Sequence, residues 1–186
     1  GQVVDAAMVA GVAALMASVY AGMQQGFWSD QRGENLLDSG AAFYDVYETS
    51  DGKFVSIGAL EPQFYKELVE RLGLEGKAPA PMDHLNPAKW NELRPTLEEL
   101  FRTRTRDEWC EVFEGSDACF APVLAAAEVF EHEHHRARRS FVDVDGVKHA
   151  VAAPRFSRTK PADPTPARDR GADTEAILAE IGVTLS

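Results

Sequence analysis

The chain has 186 residues, 45% of them hydrophobic and three of them tryptophan, enough for one domain or one and a half with a real core. Its formal net charge of −11 excludes a nucleic-acid-binding surface, which needs basic excess. Cys110 and Cys119 form no CxxC pair and read as free, buried thiols of a reducing compartment, so a cytoplasmic location is expected.

No secretory leader is read at the start. The chain opens at Gly1 rather than Met and runs straight into a helical pattern, as a piece of a longer polypeptide would. Residues 3–25, VVDAAMVAGVAALMASVYAGMQQ, carry one ionised residue, Asp5. They are rich in Ala and Gly, and no basic flank follows, so they predict a packed helix rather than a membrane span. Met8, Leu15, Met16, Val19 and Met23 form its bulkier stripe, expected in a core. Residues 26–46 lose this periodicity. Gly26, Gly33 and Gly40 with polar residues between them predict a long crossover loop, the kind that compact domains keep for function. Leu36-Leu37 is an apolar island within it.

Tyr47–Tyr65, YETSDGKFVSIGALEPQFY, is the organising stretch. Asp51-Gly52 between β-prone runs is a hairpin signal. Pro62 suits the first position of a helix, which places Glu61 at the N-cap with extended backbone. Glutamate is a poor cap, although its charge gains from the helix dipole. A slot that local rules assign to another residue is a place to look for function.

Phe64, Leu68, Val69 and Leu72 then share a helical face, and Gly73 stops it. Residues 74–88, with Pro79, Pro81 and Pro87, read as a linker. Trp90, Leu93, Leu97, Leu100 and Phe101 make a second helix. Thr105 and Glu108 form a capping-box spacing before a third. Ala118–Leu124 contains Pro122 and is at best an edge strand. Ala125–Arg139 predicts a charged helix, Phe141–Ala152 a hairpin around Asp145-Gly146, and Thr174–Ile181 a short last helix. The middle, 41–125, is therefore a small α+β unit. Residues 1–40 precede it as a buried helix and crossover loop. Residues 126–186 follow it as a return segment and tail. Flanks that cannot bury themselves imply a larger body outside this chain.

Few residues invite a chemical role. His132, His134 and His135 with Glu131 and Glu133 resemble a metal tract, but only His132–His135 has helical ligand spacing and no third ligand follows, so no metal is expected. The cysteines have no neighbouring base. No GxSxG, phosphate loop or complete dinucleotide fingerprint is present. Arg155 and Arg158 could reach a phosphate or be structural. From the residues alone, the chain is a soluble α/β fragment with one interesting carboxylate.

GQVVDAAM, RGENLLDSGAAFYDVYE, SDGKFVSIGALEPQFY, SDACFAPVL and APRFSRT, in this order from Gly1 to about Thr159, resemble the second half of an α-methylacyl-CoA racemase. These enzymes belong to the family III CoA-transferase superfamily. The resemblance implies a small α+β domain flanked by segments of a Rossmann-like large domain, and an interlocked homodimer with its active site between subunits. It implies an isomerase that removes and returns the C2 proton of a 2-methylacyl-CoA, with the His and Asp of this proton transfer upstream of Gly1. No separate cofactor is implied, since CoA is part of the substrate, and neither a nucleic acid nor a membrane is an expected partner. Glu61 falls at the family's glutamate that hydrogen-bonds the catalytic histidine. Leu36, Leu37, Tyr44 and Leu60 fall in motifs lining the acyl-chain surface. Two alternatives remain: a family III CoA-transferase moving CoA between carboxylic acids, and a non-catalytic dimerisation fragment.

Overall fold

Asp51-Gly52 reverses the chain between two antiparallel strands, β1 (Tyr44–Glu48) and β2 (Phe54–Gly58), in the computed structural model, which describes residues 1–183. Gly52 has φ +70°, and its N–H donates to the Thr49 carbonyl at 3.0 Å. The Thr49 hydroxyl donates to Asp51 Oδ1 at 2.6 Å, so the turn is also held by its side chains. A third strand, β3 (Phe120–Val123), pairs antiparallel with the other side of β2. Pro122 lies on this edge strand, where a missing N–H does not interrupt a central ladder.

The chain divides into two compact units, 1–123 and 124–186. In the first, Tyr47 on β1 stands opposite Val55 on β2, and both are buried on one face of the sheet. The same core takes in α3 (Pro62–Leu72), α4 (Trp90–Phe101) and α5 (Arg106–Phe113). Their buried residues recur at helical spacing: Tyr65, Leu68 and Leu72; then Trp90, Leu93, Leu97 and Phe101; then Trp109 and Phe113. The predicted punctuation is present. Pro62 begins α3, Gly73 ends it at φ +66°, and Thr105 and Glu108 form a reciprocal capping box on α5.

Tyr65 introduces one defect. It is fully buried, yet its hydroxyl has no hydrogen-bond partner among the described residues, and burial pushes its pKa up to about 12. A buried hydroxyl without a partner costs about 1–3 kcal/mol. Tyr65→Phe is therefore expected to raise stability by about 1 kcal/mol, read as a higher urea midpoint at unchanged slope.

Several expectations are corrected. Residues 3–25 are not one buried helix. They form α1 (Met8–Leu15) and α2 (Ala17–Gln25), with a break at Met16. Met8, Leu15 and Met23 of the predicted stripe are exposed rather than buried in a core. No helix among the described residues is long and apolar enough to cross a membrane. The supposed linker contains two 3₁₀ turns, Asp83–Leu85 and Pro87–Lys89, and buries His84 in the core. Cys119 is exposed rather than buried; Cys110 is half-buried, and both are free.

The second unit begins with a 3₁₀ turn at Glu128–Phe130, then α6 (Glu133–Ala137), not one helix across 125–139. His132 is extended, and the charged run after it offers no apolar stripe to hold a longer helix. Phe130 packs edge-on against Phe141 at 5.0 Å instead. The hairpin of β4 (Phe141–Val144) and β5 (Val147–Ala150) follows, with Asp145 and Gly146 both at positive φ, as its two-residue turn requires. A last helix, α7, spans Thr174–Glu180. Arg155 donates to the carbonyls of Arg138 and Arg139, a structural use of its guanidinium. Among the described residues no three His, Cys, Asp or Glu side chains gather as metal ligands.

Candidate functional site

The end of β2 is where the chain converges. Gly58 N–H donates to the Cys119 carbonyl at 3.0 Å, and Ala59 N–H donates to the Phe43 carbonyl at 3.2 Å. Both neighbouring segments are thus stitched to the strand's last residues. The chain then turns tightly, with Leu60 N–H donating to the Gly58 carbonyl at 2.8 Å. Glu61 follows with φ −76° and ψ 145°, and Pro62 starts α3. The Glu61 carbonyl accepts from Tyr65 N–H at 3.0 Å, but its carboxylate makes no cap hydrogen bond. A strand-to-helix corner therefore presents an exposed carboxylate from a well-held backbone.

Beside this corner lies an open cavity of about 350 Å³, lined by Leu37, Ser39, Tyr44, Asp45, Val46, Ser56, Ile57, Gly58 and Cys119. The Tyr44 ring covers Gly58: a Cβ there would meet its Cε2 at 3.5 Å. Of the residues singled out from the sequence, Leu37 and Tyr44 line this cavity, and both are exposed. Leu36 and Leu60 are half-buried and pack against the core instead. Glu61 does not itself line the cavity, but its charge acts on Cys119, which does. Burial, then the Glu61 and Asp117 charges, push the Cys119 thiol up, so this exposed cysteine stays protonated and is a poor nucleophile.

The loop that carries Leu37 is ordered by its own polar groups. Asn35 is buried; its amide donates to Asp38 Oδ2 at 2.7 Å and to the Ser29 carbonyl at 3.0 Å, while its Oδ1 accepts from Ser29 N–H at 2.6 Å. Asp38 also accepts from the N–H groups of Gly33 and Asn35 at 3.0 and 2.8 Å. Burial works against its charge, but these hydrogen bonds together hold its carboxyl below the ordinary carboxylate value. Arg94 closes the loop onto α4. It pairs with Asp45 at 2.6 Å and donates to the carbonyls of Ser39 and Gly40 at 2.6 and 3.3 Å.

Reasoning from sequence missed this clamp, and it missed His84. The Asn35–Asp38 spacing inside a glycine-rich loop was a readable turn signal. Arg94 looks like any solvated helix residue, and its partner is 49 positions away. His84 sits in a proline-bearing stretch that reads as a connection.

The chain is 42% identical to the mouse protein named alpha-methylacyl-CoA racemase over 186 residues, covering 98% of this chain and 48% of that protein. The human protein of the same name is 39% identical over 184 residues, with the same coverage. The chain thus spans about half the length of these relatives. Among solved structures, a CAIB/BAIF family protein from Brucella suis has the same fold, with a TM-score of 0.62 at 22% identity over 90% of this chain and 45% of that one. Residues 1–174 match CoA-transferase family III, and the chain belongs to that family.

Proposed function

We propose that this chain is the C-terminal part of an enzyme that epimerises 2-methylacyl-CoA thioesters at C2. The observation that carries the reading is Glu61: an exposed carboxylate with no cap bond, held at a strand-to-helix corner beside an open cavity. The mouse and human relatives named alpha-methylacyl-CoA racemase support it. A proton beside a thioester is weakly acidic, so a base must remove it and the enolate must be stabilised; return on the other face inverts the centre. Glu61 supplies the carboxylate that orients and charges the histidine acting as that base, a residue outside this chain. Leu37 and Tyr44 belong to a surface along which the acyl chain rests. CoA arrives as part of the substrate, and no further cofactor is required. A homodimer in the cytoplasm is the expected setting, in keeping with two free thiols.

Glu61→Gln in the complete polypeptide is the test, with α-proton exchange of a 2-methylacyl-CoA followed in deuterated water. The expected result is a kcat lower by roughly 10–100-fold, the range seen when a partner that orients a functional histidine is removed. Stability should stay within about 0.5 kcal/mol, since the side chain is exposed. The rising limb of the pH–rate profile should move to lower pH, because a carboxylate favours the protonated imidazole and its loss lowers that pKa. Unchanged turnover and profile would remove Glu61 from the reaction.

A further inference from the structure

His84 is 1% exposed, although it comes from a single short 3₁₀ turn, Asp83–Leu85, between α3 and α4. Its ring stacks on Tyr65 at 4.0 Å and 7°, and packs edge-to-face with Phe43 at 4.7 Å. Nδ1 accepts from Met82 N–H at 3.1 Å. The ring is then neutral with its proton on Nε2, which donates to the Leu60 carbonyl at 3.0 Å. Met82 has φ +79°, a conformation that costs a side-chain-bearing residue energy and that this hydrogen bond helps to hold. The His84 carbonyl accepts from Trp90 Nε1 at 2.8 Å, which ties the same residue to the start of α4.

The Leu60 carbonyl belongs to the peptide plane that leads into Glu61. A peptide is flat, so holding its oxygen orients the whole plane. The next plane, carrying the Glu61 carbonyl, is held by Tyr65 N–H at 3.0 Å. With both planes flanking its Cα set, the direction of the Glu61 Cα–Cβ bond is set too. Tyr65 thus meets Glu61 through its backbone and His84 through its ring. A buried imidazole needs partners for both ring nitrogens, and here the partner of Nε2 is the carbonyl that leads into Glu61.

We propose that His84 is a positioning residue, whose Nε2–H bond to the Leu60 carbonyl fixes the Cα–Cβ direction from which the Glu61 side chain is presented. Its effect on turnover rests on the racemase reading above; its effect on the Glu61 backbone does not. Two substitutions separate positioning from packing. His84→Gln can place an amide N–H where Nε2 was and keep the bond to Leu60. His84→Asn can place an amide oxygen where Nδ1 was, keeping the Met82 bond and losing Leu60. Both lose the ring stack, so both weaken the core.

In the complete polypeptide, exchange of a 2-methylacyl-CoA in deuterated water should show kcat about tenfold lower for His84→Asn, with KM little changed. His84→Gln should recover most of that loss. The double variant His84→Asn/Glu61→Gln should be no slower than Glu61→Gln alone, because the two residues act through one carboxylate. Equal rates for the Asn and Gln variants, or losses that multiply in the double variant, would overturn the proposal. If Glu61→Gln leaves kcat unchanged, Glu61 has no part in the reaction, and amide hydrogen exchange decides for His84. Faster exchange of the Tyr65 amide in the Asn variant than in the Gln variant sustains the positioning role. Equal exchange in the two ends it.

Discussion

Gly40→Ala is expected to cost about 3 kcal/mol and to dismantle the wall of the candidate site. The reason is close approach. A Cβ at Gly40 would lie 2.4 Å from the Asn35 carbonyl oxygen, 2.8 Å from Asn35 N and 2.9 Å from Glu34 C, all backbone atoms with no rotamer to yield. Gly40 is itself buried, and Arg94 grips its carbonyl at 3.3 Å and that of Ser39 at 2.6 Å. Relief by moving Gly40 outward would drag the Arg94 clamp away from Asp45. Relief by moving Asn35 would break the hydrogen bonds that order residues 29–38. Either route displaces Leu37 on one side of the cavity and Tyr44 on the other. Urea unfolding followed by fluorescence of Trp90 and Trp109, both buried, reads the loss. A change below about 0.5 kcal/mol would show that the loop relaxes freely and that its hydrogen bonds do not brace the site.

The small sheet and the three helices packed with it could be read from the residues, because each is decided locally. Asp51-Gly52, Pro62, Gly73 and the Thr105–Glu108 pair act within a few positions of themselves. The Pro122 edge strand follows from the missing N–H. What failed shares a different cause. Whether the α1–α2 stripe is buried depends on what lies against it, and the apolar pattern does not say. The run 125–139 has helix formers but no stripe to pack, so charge density alone misled. In the site, Glu61 stood out because it breaks a local capping preference. Arg94 and His84 break none, and their roles come from contacts 49 and 24 positions away. A polar residue whose purpose is a distant carbonyl leaves no periodic trace.

Phe101→Ala should have the largest effect in the core, about 3–5 kcal/mol. Phe101 is fully buried at the last turn of α4. It stacks on Tyr47 at 5.1 Å and meets Trp109 edge-on at 5.1 Å, so one ring joins the sheet to α4 and α5. Its carbonyl accepts from Trp109 Nε1 at 2.9 Å, and the Tyr47 hydroxyl donates to the Ala42 carbonyl just ahead of β1. Truncation removes the transfer energy of the ring and leaves a cavity between three elements, each pinned by a polar contact that limits collapse. The aromatic pairings add about 0.5–1.5 kcal/mol each beyond area. Phe101→Leu keeps most of the volume and loses the pairings, so it should recover roughly half of the loss. The site supplies a second readout. Phe101 supports β1 through Tyr47, three residues after Tyr44, but it touches neither Glu61 nor His84 in the contacts described. Phe101→Ala should therefore lower the folded fraction while leaving the pH–rate profile of the folded molecules in place, the reverse of Glu61→Gln. A shifted profile in Phe101→Ala would mean that core and carboxylate are coupled, and that the corner at Leu60–Glu61 is held less firmly than its hydrogen bonds indicate.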